Sequence, residues 1–217
     1  MSLLLPFLRG VLDLVAPARC AACDAVLEPL DEGFCPACAP LLEPLAPRDG
    51  VLAAYAYGGP LADALRRFKY GGRAELAGPL GRRLAALAER ELAGRVDRVV
   101  SVPLDRRRLL ERGYDQAALL ARPVARALGV PFDPDALARR RPTRPQAALD
   151  RERRMRNLDG IFVARRPLEG AVLLVDDVRT TGTTLAEAGR ALLSGGAEEV
   201  RALVLAQAAP SRAPGLL

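Results

Sequence analysis

The sequence predicts an α/β protein, a parallel sheet flanked by helices, with a small four-cysteine module in front. Three observations predict it. From Val51 onward, short apolar runs alternate with longer segments of helical period, the order produced by strands joined through crossover helices. The run Ala171 to Val175 is apolar throughout, as expected of a strand covered on both faces. All four cysteines fall within nineteen residues, ahead of that alternation. With 217 residues, 50% of them hydrophobic, the chain can bury the core of one domain plus an appendage.

At the start, Leu5, Leu8, Leu12 and Val15 recur at helical spacing, which suits a short amphipathic helix docked on a neighbour. No basic stretch precedes this apolar run, and Arg9 and Asp13 interrupt it, so it does not read as a secretion signal. No segment reaches the ~18 apolar residues of a membrane span. A cytoplasmic location is expected. The cysteines follow as Cys20-Ala-Ala-Cys23 and Cys35-Pro-Ala-Cys38, eleven residues apart. Each C-x2-C turn aims two thiolates at one point, and two such turns complete the tetrahedral sulfur shell of a closed structural zinc site. An iron site has the same geometry, and two disulfides are the remaining alternative, which a cytosolic location disfavours. Residues 1–45 carry two arginines against six acids, 2 − 6 = −4, a field that repels DNA phosphates. The module therefore reads as structural or protein-docking. Pro40, Pro44 and Pro47 mark a linker. The expected organisation is a module over 1–48, the α/β domain over 49–209 and a frayed tail over 210–217.

Within the domain the pattern predicts strands at Val51 to Tyr57, Arg98 to Val102, Ile161 to Val163, Ala171 to Val175 and Val200 to Ala206. It predicts helices at Leu61 to Phe68, Glu75 to Leu92, Tyr114 to Leu128 and Leu185 to Leu193. Ligands of such folds sit beyond the carboxyl ends of the strands.

Composition narrows the chemistry. The chain contains no histidine, which excludes Ser/His/Asp and Cys/His triads and imidazole acid–base catalysis. Of 32 basic residues only Lys69 is a lysine. A retained lysine in an arginine-writing chain points to a compact charge on a flexible stem that a planar guanidinium replaces poorly. Gly71 and Gly72 follow it and imply a tight turn. The formal charge is +6, and residues 139–156 alone hold eight arginines against two acids, 8 − 2 = +6. A loop this long and basic inside a compact domain reads as a functional lid or a disordered segment rather than a routine connection, with a nucleic-acid contact as the alternative use of the same arginines.

Residues 172–185 carry the decisive motif: a buried strand, Asp176 and Asp177, then Thr180, Thr181, Gly182, Thr183 and Thr184 opening into a helix. Backbone N–H groups at a helix N-terminus bind a phosphate dianion, hydroxyls add donors, and glycine permits close approach. Two carboxylates can accept hydrogen bonds from a vicinal diol. A phosphate beside a diol is a ribose 5-phosphate. A Walker A loop is excluded because no lysine follows a glycine here.

This run resembles the phosphoribosyl pyrophosphate (PRPP) motif of the type I phosphoribosyltransferases. The segment from Pro103 to Gln116, read as a loop running into a helix, is similar to the pyrophosphate loop of glutamine PRPP amidotransferase, with Arg106, Arg107 and Arg112 as phosphate clasps. The basic stretch lies where that family has its flexible loop, so Arg144, Gln146, Arg151, Arg153, Arg154 and Asn157 become lid residues. In order, the cysteine pairs, Phe68-Lys69-Tyr70-Gly71-Gly72, the 102–121 stretch, the 144–157 stretch and the 173–185 motif resemble the ComF family of competence proteins. Tyr114-Asp115-Gln116 stands where many relatives have Phe-Asn-Gln. The resemblance implies a type I phosphoribosyltransferase-like sheet with a zinc module, Mg²⁺ accompanying PRPP, and a cytoplasmic role in DNA uptake during natural transformation. Asp176, Asp177 and Lys69 are then the catalytic candidates.

Three functions remain compatible with these residues: a competence factor that binds PRPP and handles single-stranded DNA or the uptake machinery, a phosphoribosyltransferase of nucleobase metabolism with an unidentified acceptor, and a nucleotide-sensing scaffold without turnover. Turnover itself and a homo-oligomeric state are open at this level.

Overall fold

The computed structural model describes residues 17–29, 31–47, 50–140 and 160–208. The predicted N-terminal helix, the lid residues Arg144, Gln146, Arg151, Arg153, Arg154 and Asn157, and the tail lie outside the described residues.

In chain order the domain contains β1 (Val51–Ala56), α1 (Gly59–Tyr70), α2 (Ala77–Leu92), β2 (Arg98–Ser101), α3 (Arg106–Arg112), α4 (Gln116–Leu128), β3 (Leu137–Arg139), β4 (Phe162–Ala164), β5 (Ala171–Arg179), α5 (Thr183–Ser194) and β6 (Glu199–Gln207). Strands β1, β6, β5 and β2 form a sheet in that order, and every pair is parallel. β3 and β4 form a separate antiparallel pair.

Period-2 alternation sorts the strand side chains into two cores. Val99, Leu173, Val175, Leu203 and Leu205 face one side, where they meet Leu65 and Phe68 of α1, Leu80 and Leu84 of α2, and Leu120 and Val124 of α4. Val100, Val172, Leu174 and Val204 face the other, against Leu185, Ala188 and Leu192 of α5 and Phe162 of β4. The α2–α4 contact is close because Gly81 has no side chain: a Cβ there would lie 2.6 Å from Cγ of Pro123.

Four local departures from the sequence pattern have physical reasons. β5 does not stop at Val175; ladder bonds to β6 carry it through Asp176↔Val204 and Val178↔Ala206 to Arg179. The segment expected as a loop between Pro103 and Tyr114 contains α3, which buries no residue and so shows no apolar period. Asp105 caps it, its carboxylate accepting from Arg107 N–H at 3.0 Å, and Gly113 at φ +78 ends it. α1 runs on through Lys69 and Tyr70, placing Lys69 in a final helical turn. β3 is three residues long and reads as irregular sequence.

The cysteine segment shares the first core. Cys20, Ala21, Phe34, Cys35 and Leu42 pack with α1 and α2. Gly33, at φ +84, lies against Pro79, where a Cβ would come within 2.1 Å of Pro79 Cβ. Arg83 of α2 stacks on Phe34 at 5.2 Å and donates to the carbonyl of Glu32 at 3.2 Å. Residues 43–45 pair antiparallel with β1, through Ala56 N–H to Glu43 C=O at 2.8 Å and Leu45 N–H to Ala54 C=O at 3.3 Å. At the opposite edge Phe132 bridges Val99 of β2.

Candidate phosphoribosyl site and metal centre

Parallel strands end together, so the carboxyl ends of β1, β2, β5 and β6 share one edge. A cleft of about 370 Å³ opens there, lined by Tyr57 after β1, Val102 to Leu104 after β2, Asp176 and Asp177 of β5, and Ala208 after β6. α1 contributes Lys69 and Tyr70, α3 contributes Arg108 and Arg112, and Asp115, Gln116, Arg139, Thr180 and Thr184 complete the wall.

Adjacent strand residues project to opposite faces. Asp177 follows Leu173 and Val175 toward the α1 side, and there its Oδ1 meets Nζ of Lys69 at 2.8 Å, with the side chains 13% and 19% exposed. Asp176 follows Val172 and Leu174 toward the α5 side, its Oδ1 accepting from the N–H of Asp177 at 2.8 Å. Burial of the carboxyl, then the neighbouring Asp177 carboxylate, push Asp176 up to about 8 against the opposing pull of Lys69. One carboxylate of the pair thus faces a cation, and the other is biased toward its protonated form.

Beyond β5 the chain turns at Gly182, φ +82, which is the N-cap of α5. Gly182 has no side chain with which to cap that helix, and the Thr181 hydroxyl lies 3.5 Å from the first helical amide, that of Thr183, across the turn. The Thr181 and Thr183 hydroxyls bond each other at 2.9 Å, while Thr180 and Thr184 reach the cleft wall. This is the geometry of an anion cradle.

Of the three arginines expected to clasp phosphates, Arg112 lines the cleft. Its guanidinium lies 4.9 Å from the centre of the Tyr70 ring and donates to Oε1 of Gln116 at 3.0 Å. Arg107 pairs instead with Glu111 at 2.8 Å on the exposed side of α3, and neither it nor Arg106 lines the cleft. Arg108, which the sequence reading passed over, does. Positions 108 and 112 share a helix face, so recognising α3 would have selected them. Asp115 was likewise missed as a site residue: it caps α4 through Ala118 N–H at 3.0 Å and accepts from Leu104 N–H at 3.2 Å, fixing the corner of the cleft. Tyr114 stacks on Phe68 with ring centres 5.7 Å apart, and its hydroxyl donates to the carbonyl of Phe68. The α3–α4 corner is thereby tied to the helical turn that carries Lys69.

The four cysteines converge. Their sulfurs all lie within 4.8 Å of one another, and the cysteines are free thiols rather than disulfides. Sulfurs at the corners of a tetrahedron with ~2.3 Å metal bonds stand ~3.8 Å apart, so the set fits a metal ion after small adjustments. Desolvation raises the Cys20 thiol, but backbone N–H groups of Cys23, Cys35 and Ala22 outweigh it and bring the thiol down to about 6. Burial pushes Cys38 up. A cation at the centre would reverse that cost by pairing with the thiolate.

Comparison with known proteins adds the lineage. The chain is 38% identical over 160 residues to DNA utilization protein YhgH of Escherichia coli, a match covering 71% of this chain and 70% of the relative. It is 34% identical over 159 residues to Competence protein F of Haemophilus influenzae, covering 69% of each. The chain belongs to the ComF family. The phosphoribosyl transferase domain pattern matches residues 115–214 of this ComF-family chain, the part that holds β5, the Gly182 turn and α5. Among solved structures, glutamine PRPP amidotransferase from B. subtilis aligns at a TM-score of 0.45 and 23% identity, over 64% of this chain and 30% of that one. Among the described residues no helix of this family member is long and apolar enough to cross a membrane.

Proposed function

We propose that this ComF-family chain is a cytoplasmic protein of DNA uptake whose cleft binds PRPP with Mg²⁺, and whose cysteines hold a structural zinc. The observation that carries the reading is the cleft itself: a helix N-terminus opened by Gly182 and ringed by threonine hydroxyls, a carboxylate pair at the end of β5, and Arg108 and Arg112 in the same wall. Those parts divide the ligand between them. The α5 amides with Thr180 to Thr184 take the 5-phosphate, Asp176 and Asp177 accept from the ribose hydroxyls, and Arg112 with Arg108 faces the diphosphate. Mg²⁺, which suits hard oxygen donors, supplies neutralisation of the diphosphate charge when bound. Lys69 pairs with Asp177 and orients it. Arg106, exposed on α3, and Arg107, whose pair with Glu111 is exposed and exchangeable, can meet a polyanion passing the cleft, which supports a contact with single-stranded DNA alongside the lid arginines Arg144, Arg151, Arg153 and Arg154. The role in DNA uptake draws on the names of the relatives, DNA utilization and competence proteins.

Calorimetry of Mg·PRPP on protein of known zinc content tests the site: Asp177→Ala abolishes binding and leaves zinc unchanged. Unaltered PRPP affinity in that variant overturns the assignment. Wild-type affinity for single-stranded DNA falls with salt, and Arg153→Ala with Arg154→Ala flattens the slope. An unchanged slope removes the lid from the DNA contact.

A second reading, an active phosphoribosyltransferase with a nucleobase acceptor, is favoured by Tyr57 and Tyr70 in the cleft wall, since exposed rings can stack a base. Diphosphate release from PRPP on addition of one base from a panel supports it over the binding-only reading.

A further inference from the structure

The turn that carries Lys69 is held from behind by the cysteine knuckle. Asp24 directly follows Cys23, and its backbone is left-handed at φ +68. Its Oδ1 pairs with Nη2 of Arg67 at 2.8 Å and with Nη1 of Arg73 at 3.0 Å. Arg67 also donates from Nη1 to the carbonyls of Ala22, at 3.2 Å, and Cys20, at 3.5 Å. Two arginines on one carboxylate thus bracket the segment Phe68 to Gly72, from which Lys69 reaches Asp177 and Tyr70 lies beneath Arg112. Nothing in the sequence motif of either site requires this link: Asp24, Arg67 and Arg73 belong to neither the thiol set nor the cleft lining.

We propose that Asp24, Arg67 and Arg73 are positioning residues that make the reach of Lys69 into the cleft depend on the folded Cys20–Cys23 turn. Loading of the cysteine site and affinity of the cleft for its phosphorylated ligand then rise and fall together, and the coupling is reciprocal. The ligand named in the test rests on the phosphoribosyl reading above; the clamp does not. The clamp shares its work with burial of Phe68 and with the Tyr114 hydroxyl on the Phe68 carbonyl, so its removal loosens the turn without unfolding it.

The test uses the full zinc-loaded chain and Asp24→Asn, which keeps the size of the side chain and removes both ion pairs. Zinc content stays as in wild type. Hydrogen exchange of the amides from Phe68 to Gly72 quickens. The Kd for Mg·PRPP rises about five-fold, the scale of two partly exposed ion pairs. In a Lys69→Met background the same substitution costs no further affinity, because the group it positions is gone. Wild-type exchange in Asp24→Asn overturns the clamp, and so does a loss that adds in full to that of Lys69→Met. Should Asp24→Asn lose zinc, Arg73→Gln, whose partners are Asp24 and Glu75, is scored on the same measurements. Wild-type protein that fails to bind Mg·PRPP refutes the phosphoribosyl reading alone, and hydrogen exchange then decides the clamp.

Discussion

Replacing Lys69 by Met strips the charge from the cleft while its unbranched stem still fills the space. The partner left behind is Asp177, 13% exposed, with Asp176 beside it in the chain. Truncating one member of a fully buried pair costs ~3–5 kcal/mol, whereas an exposed pair is worth ~0–1. Side-chain exposures of 19% and 13% place this pair nearer the buried limit, so a loss of about 2–3 kcal/mol is expected, or roughly 4–12 °C in melting temperature for a chain of this length. The loss also depends on pH. Below about 8 Asp176 keeps its proton and only Asp177 is uncompensated; above it both carboxylates are charged and Lys69 is the cation that offsets them. The penalty therefore grows as pH rises through that value. Urea unfolding from pH 6 to 9, at fixed zinc, measures it. Arg66→Met is the control, because Arg66 and Asp63 form an exposed pair, 62% and 53%, and its removal shifts stability by less than ~0.5 kcal/mol. A Lys69→Met penalty as small as the control's, or one flat across that pH range, refutes the electrostatic account of the pair.

Other consequences are as direct. Gly81→Ala gains ~1 kcal/mol of helix propensity but drives a methyl into the rigid Pro123 ring, an overlap that costs ~2–3, so thermal unfolding shows a net loss of about 1–2. Gly189→Ala in α5, where the nearest atom is Val200 Cγ1 at an ordinary 3.7 Å, instead gains up to ~1 kcal/mol. The folded state holds the Asp176 proton from the ordinary 3.8 to about 8 while the unfolded state does not, so stability from this group falls as pH rises across that window. Asp176→Asn flattens that slope, and calorimetry in buffers of different ionisation heat detects a proton released when PRPP binds wild type at pH 7. On the proposal that the four cysteines hold zinc, its chelation lowers the melting temperature and is slowed at alkaline pH, where protons compete less for the thiolates.

The fold was legible where burial dictates sequence. Leu173, Leu174 and Val175 need apolar cover on both faces, and the paired C-x2-C turns have few other uses, so both were readable from residues alone. α3 was not, because a helix that buries nothing leaves no period; its sequence traces were the Asp105 cap, the Gly113 stop and the Arg107–Glu111 pair at i, i+4. The extent of β5 was hidden by its own residues, since Asp176 and Asp177 break the apolar run while their backbone continues the ladder to β6. At the site the acids, the Gly182 turn and Lys69 were found by residue type, and the structure brings them to one cleft. Arg108, Asp115 and Gln116 were not singled out, because their place there depends on the helices that carry them. Asp24, Arg67 and Arg73 form a contact between distant segments that no local pattern announces.

Pairing of residues 43–45 with β1 has a consequence for the fate of the protein in a cell. The outer strand of a parallel sheet offers a row of unsatisfied N–H and C=O groups to any passing chain, and β1 is otherwise an exposed template. The segment that covers it is continuous with the four-cysteine module through Pro40 and Leu42. Oxidation of the cysteines, or loss of the proposed metal, that lets this segment peel away therefore creates an adhesive edge. If the cysteines hold a metal as proposed, protein depleted of it self-associates and leaves solution.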